Sequence, residues 1–222
     1  MHVKIDLKIC IVIIIFIITE QLKIYGLFML FACIHELGHL ITGVILGFRV
    51  RLFQIKPYGV SIEFYLNEDN YKVNKKYKLL VKNIVIASMG PIVNFVIALF
   101  FIRWNISSKY IDSQNLVYIN LLIGLFNLIP IYPLDGGRIL KSLLHIKLDL
   151  IRTYKYINEI SNIVIRIFTI LASIFVLYYK NISIIIILIY LWYIVIVQNR
   201  SYIYRMRAYN AIKQIDCYNS QL

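Results

Sequence analysis

The sequence predicts an all-α, multi-pass membrane protein with about six transmembrane helices, on three observations. Of 222 residues, 60% are hydrophobic and only 16% are charged, with a mean hydropathy of +0.74, far from the balance of an ordinary soluble domain. Apolar segments recur at 7–19, 25–47, 84–102, 116–131, 160–179 and 182–197, spaced like successive crossings of a bilayer. Lysine and arginine also sort by side when six spans are laid out with the N-terminus inside.

That sorting decides what the formal net charge of +13 means. The inside segments hold Lys4 and Lys8, then basic runs between Arg49 and Lys82, between Arg138 and Lys155, and between Arg200 and Lys213. The outside segments hold only Lys23, Arg103, Lys109 and Lys180. A basic surface arranged this way suits anionic lipid head groups, and no nucleic-acid partner is expected.

The elements follow in order. The segment 7–19 is short for a full span and is joined to the next by little more than Glu20 to Lys23, so it is expected to tilt, to thin the bilayer locally or to extend through Tyr25. Its basic start and apolar core also resemble a signal peptide, but no small-residue cleavage site follows. The second span, 25–47, carries His35-Glu36-Leu37-Gly38-His39. The interval 48–80 is the longest polar stretch. Within it Val60, Ile62 and Phe64 alternate with Ser61, Glu63 and Tyr65, while Val50 to Ile55 is β-prone and Pro57-Tyr58-Gly59 supplies a turn. A small β-hairpin at the inner membrane face accounts for this pattern, and an irregular basic loop accounts for it nearly as well. The third span carries Gly90-Pro91. The fourth runs into Pro130 and Pro133, which end or break its helix. Spans five and six close the chain, and the tail after Gln198 is too short for an independent domain. The whole chain, 1–222, reads as a single membrane-embedded domain with no separate soluble domain. Cys10, Cys33 and Cys217 have no paired spacing.

Two histidines four apart on a helix lie about 40° apart around its axis and about 6 Å along it, which suits one metal ion between them. Glu36 projects near the same face and is placed to act on a water rather than to ligate. Ionisable groups in a spanning segment are costly and point to function. The bland alternative is an amphipathic soluble helix with its His and Glu in water. The flanks argue against it, because Leu27 to Ile34 and Leu40 to Leu46 are apolar on all sides.

A catalytic zinc takes three protein ligands and leaves one position open. Glu63, His145, Asp149 and Asp135 are candidates for the third. Asp135 stands out because it ends the run Asn127 to Gly137, in which two prolines and two glycines break the backbone after the fourth span. Broken backbone at membrane depth is tolerated only when buried in protein or lining a cavity. The competing reading of Asp135 is an ordinary helix cap or Asx-turn.

With these residues the chain resembles the site-2 proteases, a family of intramembrane zinc metalloproteases. The resemblance rests on His35 to His39, on Gly90-Pro91-Ile92-Val93-Asn94, and on Asn127 through Gly137 ending in Leu-Asp-Gly-Gly, three motifs in order over about half the chain. It implies that His35, His39 and Asp135 bind one zinc ion and that Glu36 is the catalytic acid/base. It implies that Asn127 and Pro133 lie near the site and help hold substrate; taken alone, Asn127 reads as a helix–helix hydrogen bond. Gly90, Pro91 and Asn94 read as packing and kink residues. The family's three-helix catalytic core falls here at about 25–145, with accessory transmembrane helices at about 7–24 and 160–198.

The six-span layout resembles the bacterial branch that includes the stage IV sporulation protease, which matures a membrane-bound sigma-factor precursor. That branch's nucleotide-sensing CBS domain is missing here, which leaves ATP control and substrate in doubt. The expectation is a metalloendopeptidase of the bacterial cell membrane, its site opening towards the cytoplasm, acting on a membrane-associated protein in or near its transmembrane segment. An inhibitory membrane partner is a further expectation from the family. The alternative is a membrane metal-ion carrier using the same His and Asp ligands, which would not need Glu36; a catalytically silent scaffold ranks last.

Overall fold

The apolar run that opens near Lys23 forms helix α1, Leu22–Ile45. It lacks proline, is apolar on all sides in the stretches flanking His35 to His39, and is followed by Gly47, whose φ of +87° suits a glycine turn. The computed structural model describes residues 2–5, 17, 22–56, 59–64, 73–104, 112–179 and 182–219. The expected first span, 7–19, lies almost wholly outside them.

The described chain divides into two compact units, Met1–Ile129 and Pro130–Leu222. In the first, α1 is followed by strands β2, Val50–Lys56, and β3, Gly59–Phe64. They pair antiparallel as the expected hairpin, with Gln54 opposite Ser61 and Phe53 opposite Ile62. A strand not anticipated from the sequence, β1, His2–Ile5, adds in parallel to β2, so the order is β1-β2-β3 and β3 is an edge. Helices α2, Val73–Trp104, and α3, Ser113–Asn127, complete this unit. Asp112 caps α3 by accepting from the Gln114 backbone N–H at 3.2 Å. Phe31, Leu116 and Ile123 form a core on α1 and α3, and Phe101 of α2 meets Phe31 edge to face at 6.3 Å. Close approach of α1 and α2 is set at Gly38, where an added Cβ would sit 3.0 Å from Val93 and 3.2 Å from the Met89 carbonyl. Small residues at such crossings are how helices pack in lipid.

The second unit holds α4, Asp135–Lys147, α5, Leu150–Tyr179, and α6, Ile182–Asn219. Asn162 and Asn199 join α5 to α6 by two reciprocal amide hydrogen bonds of 3.1 and 3.0 Å. Trp192 adds a bond to Thr169 at 3.0 Å. Elsewhere α5 exposes Ile163, Ile167, Ile170, Ile174 and Leu177, a surface suited to lipid rather than water.

Among the described residues, three helices are long and apolar enough to cross a membrane, over Lys23–Ile45, Tyr77–Trp104 and Leu150–Leu177. They correspond to the second, third and fifth expected spans. The fourth is shorter than its apolar run: α3 stops at Asn127, ahead of Pro130, and its 15 residues reach only about 22 Å.

Candidate metal centre

His35 and His39 sit one turn apart on α1 and are buried, exposing 3% and 2% of their surface. Both Nδ1 atoms are engaged. His35 Nδ1 donates to Asn94 Oδ1 at 2.5 Å, and His39 Nδ1 donates to the Ile86 carbonyl at 2.6 Å. A proton on each Nδ1 leaves each Nε2 with a lone pair, and the two Nε2 atoms face one another at 3.1 Å. Two acceptors cannot hydrogen-bond to each other, so the approach is repulsive unless a cation lies between them. Nitrogen ligands on a tetrahedral zinc, at about 2.0–2.1 Å from the ion, stand about 3.3 Å apart. The observed separation fits that ion.

The imidazoles are held by α2. Asn94 is fully buried; its Nδ2 donates to Asn120 Oδ1 at 3.0 Å, and Asn120 Nδ2 donates to the Leu116 carbonyl at 2.8 Å. This chain runs from the histidine through α2 to α3 and ends on a backbone acceptor. Outer partners of this kind fix the tautomer and ring orientation of a metal ligand. Gly90 supplies room: a Cβ there would lie 2.4 Å from His39 Nε2 and 2.6 Å from His35 Nε2. Pro91, also fully buried, leaves the Ala87 carbonyl without its usual i+4 donor.

Asp135 is buried in the first turn of α4, where the helix dipole favours a carboxylate. Arg138 approaches it at 3.2 Å. Gly137 allows that turn to press against the preceding backbone, since a Cβ there would lie 2.4 Å from the Tyr132 nitrogen. His35, His39 and Asp135 are each buried, and each offers one ligand atom. Two imidazoles and a carboxylate are a donor set that zinc accepts.

The other candidates fall elsewhere. Asp149 is largely exposed and pairs with Arg152 at 3.8 Å. His145 Nδ1 lies 3.5 Å from Thr153 Oγ1. The Glu63 side chain is outside the described residues. Glu36 is half-buried on α1. Asn127 donates to the Ile123 carbonyl at 3.0 Å, a bond within its own helix rather than between helices. Pro133 is exposed and follows a cis peptide bond from Tyr132. Sequence reasoning read Asn94 and Gly90 as packing and kink residues and passed over Asn120. The one available signal was the position of Gly90 and Asn94 within a single motif.

A buried histidine pair with converging lone pairs, carried on apolar helices long enough to cross a bilayer, defines a membrane protein with a zinc-type ligand set. Residues 24–110 and 113–179 match the family model of Peptidase family M50, well over half of the chain, and the chain belongs to that family, the site-2 proteases. It is 29% identical over 130 residues to a zinc metalloprotease of Methanocaldococcus jannaschii, a match covering 55% of this chain and 34% of that protein. It is 28% identical over 127 residues to stage IV sporulation protein FB of Bacillus subtilis, covering 55% of this chain and 41% of the relative. A putative zinc metalloprotease of Synechocystis is 32% identical over 125 residues, covering 52% and 30%. The matched stretches thus span less than half the length of these curated relatives. In fold, the chain is similar to the solved site-2 protease from Methanocaldococcus jannaschii, with a TM-score of 0.64 and 21% identity over 88% of this chain and 89% of that one.

Proposed function

We propose that this chain is an intramembrane zinc metalloendopeptidase in which His35, His39 and Asp135 hold the metal and Glu36 is the catalytic acid/base. The observation that carries the reading is the pair of facing Nε2 lone pairs at 3.1 Å, and the buried carboxylate of Asp135 is the third ligand in this reading. When bound, zinc supplies Lewis acidity to the scissile carbonyl and to the attacking water. Glu36 takes the proton of that water at its carboxylate and returns it to the leaving amide nitrogen, so one side chain serves as base and then acid. Asn94, through its bond to Nδ1, keeps the His35 tautomer fixed while charge changes nearby. The membrane-embedded domain spans the chain, with its core at about 25–145.

The substrate in this reading is a membrane-associated precursor cut within or near its transmembrane segment, at a site open to the cytoplasm of a bacterial cell. Likeness to a sporulation protein supports, as the finer reading, sigma-factor maturation. A substrate helix must unwind before cleavage, because its carbonyls are tied up in the helical ladder. Among the described residues β3 is an edge of the sheet, and that edge offers an extended segment backbone partners by strand addition, with Asn127 and Pro133 as further contacts. The test is co-expression with candidate precursors, comparing wild type with Glu36→Gln. The variant retains zinc by elemental analysis, and its shortened product falls by about 10²-fold or more. Equal cleavage by the two proteins rules the reading out.

A further inference from the structure

Away from the histidines, three helices of the second unit converge on one oxygen atom, the Tyr154 hydroxyl. Lys141 Nζ of α4 donates to it at 3.4 Å, and Arg205 Nη1 of α6 donates to it as well. The same cations lie over aromatic faces: Lys141 stands 4.6 Å from the Tyr154 ring centroid and 4.7 Å from that of Tyr132, and Arg205 stands 4.6 Å from Tyr154. Among the described residues, no carboxylate pairs with Lys141 or Arg205. The nearest cation in sequence, Arg138, is already engaged with Asp135.

The cluster has donors to spare and no acceptor left over. Two cationic N–H groups occupy the lone pairs of the Tyr154 hydroxyl, so only its proton remains to be offered. Burial pulls the Lys141 ammonium below the usual lysine range; Tyr132 opposes that shift, and the Arg205 and Arg138 guanidiniums reinforce it. Like charges gathered at a half-buried point repel one another, and an anion seated there converts that repulsion into attraction. The place remains reachable, because Arg205 is exposed and Lys141 and Tyr154 are only half-buried. A tetrahedral oxyanion uses such a set better than a carboxylate does, since it brings more acceptor oxygens to an ammonium, a guanidinium and a phenol.

We propose that the Lys141–Tyr154–Arg205 cluster binds a phosphate group, carried either by an anionic lipid head group or by a soluble phosphate compound. The test is thermal unfolding of the full chain in neutral detergent at constant ionic strength. Inorganic phosphate replaces chloride in one arm, and phosphatidic acid replaces phosphatidylcholine in the other. A saturable rise in midpoint is expected in at least one arm. The phosphate arm alone identifies a soluble ligand, the lipid arm alone a head group, and a rise in both a site that takes either. Lys141→Gln with Arg205→Gln removes the saturable response, whereas Lys147→Gln with Arg200→Gln, the same charge change on the same helices, keeps it. If the first double variant does not fold, Tyr154→Phe decides, because it keeps ring and charges and weakens binding at least about tenfold through one lost hydrogen bond to an anion. No saturable rise in either arm overturns the proposal, as does a folded cluster double variant that responds like wild type. Neither outcome touches the assignment of Glu36, because the readout involves no cleavage.

Discussion

At Gly90 the difference between a hydrogen and a methyl decides whether two imidazoles can share one ion. A Cβ 2.4–2.6 Å from both Nε2 atoms would occupy the point where they converge. Gly90→Ala is therefore expected to lower zinc content several-fold or more by elemental analysis, whereas Gly26→Ala, with nothing within 4 Å of the added carbon, leaves it unchanged. Asn94→Leu keeps the branched shape but removes the acceptor from His35 Nδ1; zinc affinity in chelator competition falls about 10–100-fold, the usual cost of losing such an outer partner. Lys141 gives a pH signature. Its lowered pKa means that the folded protein binds fewer protons than the unfolded one between that pKa and the ordinary lysine value of 10.5. Stability therefore rises as pH climbs through this window, and Lys141→Met flattens the slope of the unfolding midpoint against pH. The ligand types were legible in the sequence at His35 and His39. The roles of Asn94 and Asn120 were not, because a buried amide partner is defined by what faces it across a helix boundary.

At the scale of elements, the sheet is fastened to the helix that carries the histidines. An added Cβ at Gly43, one turn beyond His39, would lie 2.3 Å from the Phe64 ring, so that ring rests in the notch the glycine leaves. Phe48 joins Phe64 at 5.8 Å, and Lys82 bonds the Leu46 carbonyl at 2.6 Å, anchoring the same corner. If the β3 edge aligns substrate, Ser61→Pro or Glu63→Pro cuts cleavage while zinc content stays at the wild-type level; unchanged cleavage counts against strand addition. The hairpin itself was legible from its period-two alternation. The parallel strand His2–Ile5 was not, since four residues carry no pattern of their own and acquire strand geometry only by pairing with Leu52 to Ile55. In α5 and α6, the reciprocal Asn162–Asn199 bonds are expected to couple by about 0.6–1.7 kcal/mol in a double-mutant cycle of unfolding.

For the whole molecule, the distribution of charge predicts a direction across the membrane, with the basic segments inside. Cysteines placed at Lys78 and Arg207, in a background lacking Cys10, Cys33 and Cys217, are expected to react with an impermeant thiol reagent only in inverted vesicles. One at Lys109 reacts only in intact cells. The opposite pattern reverses the orientation and directs the site outward. Apolar residues left exposed along α5 agree with a chain whose surface is solvated by lipid.

The sequence by itself determined that this is a helical membrane protein, that His35 and His39 stand one turn apart on one helix, and that the fourth span breaks before Asp135. Composition and local periodicity are written along the chain, and a four-residue spacing on a helix is a local fact. Tertiary structure decided which groups hold the imidazoles still, where the sheet docks, and where two cations meet one tyrosine oxygen. Those are contacts between residues 13 to 59 positions apart, and they exist only once the helices have packed.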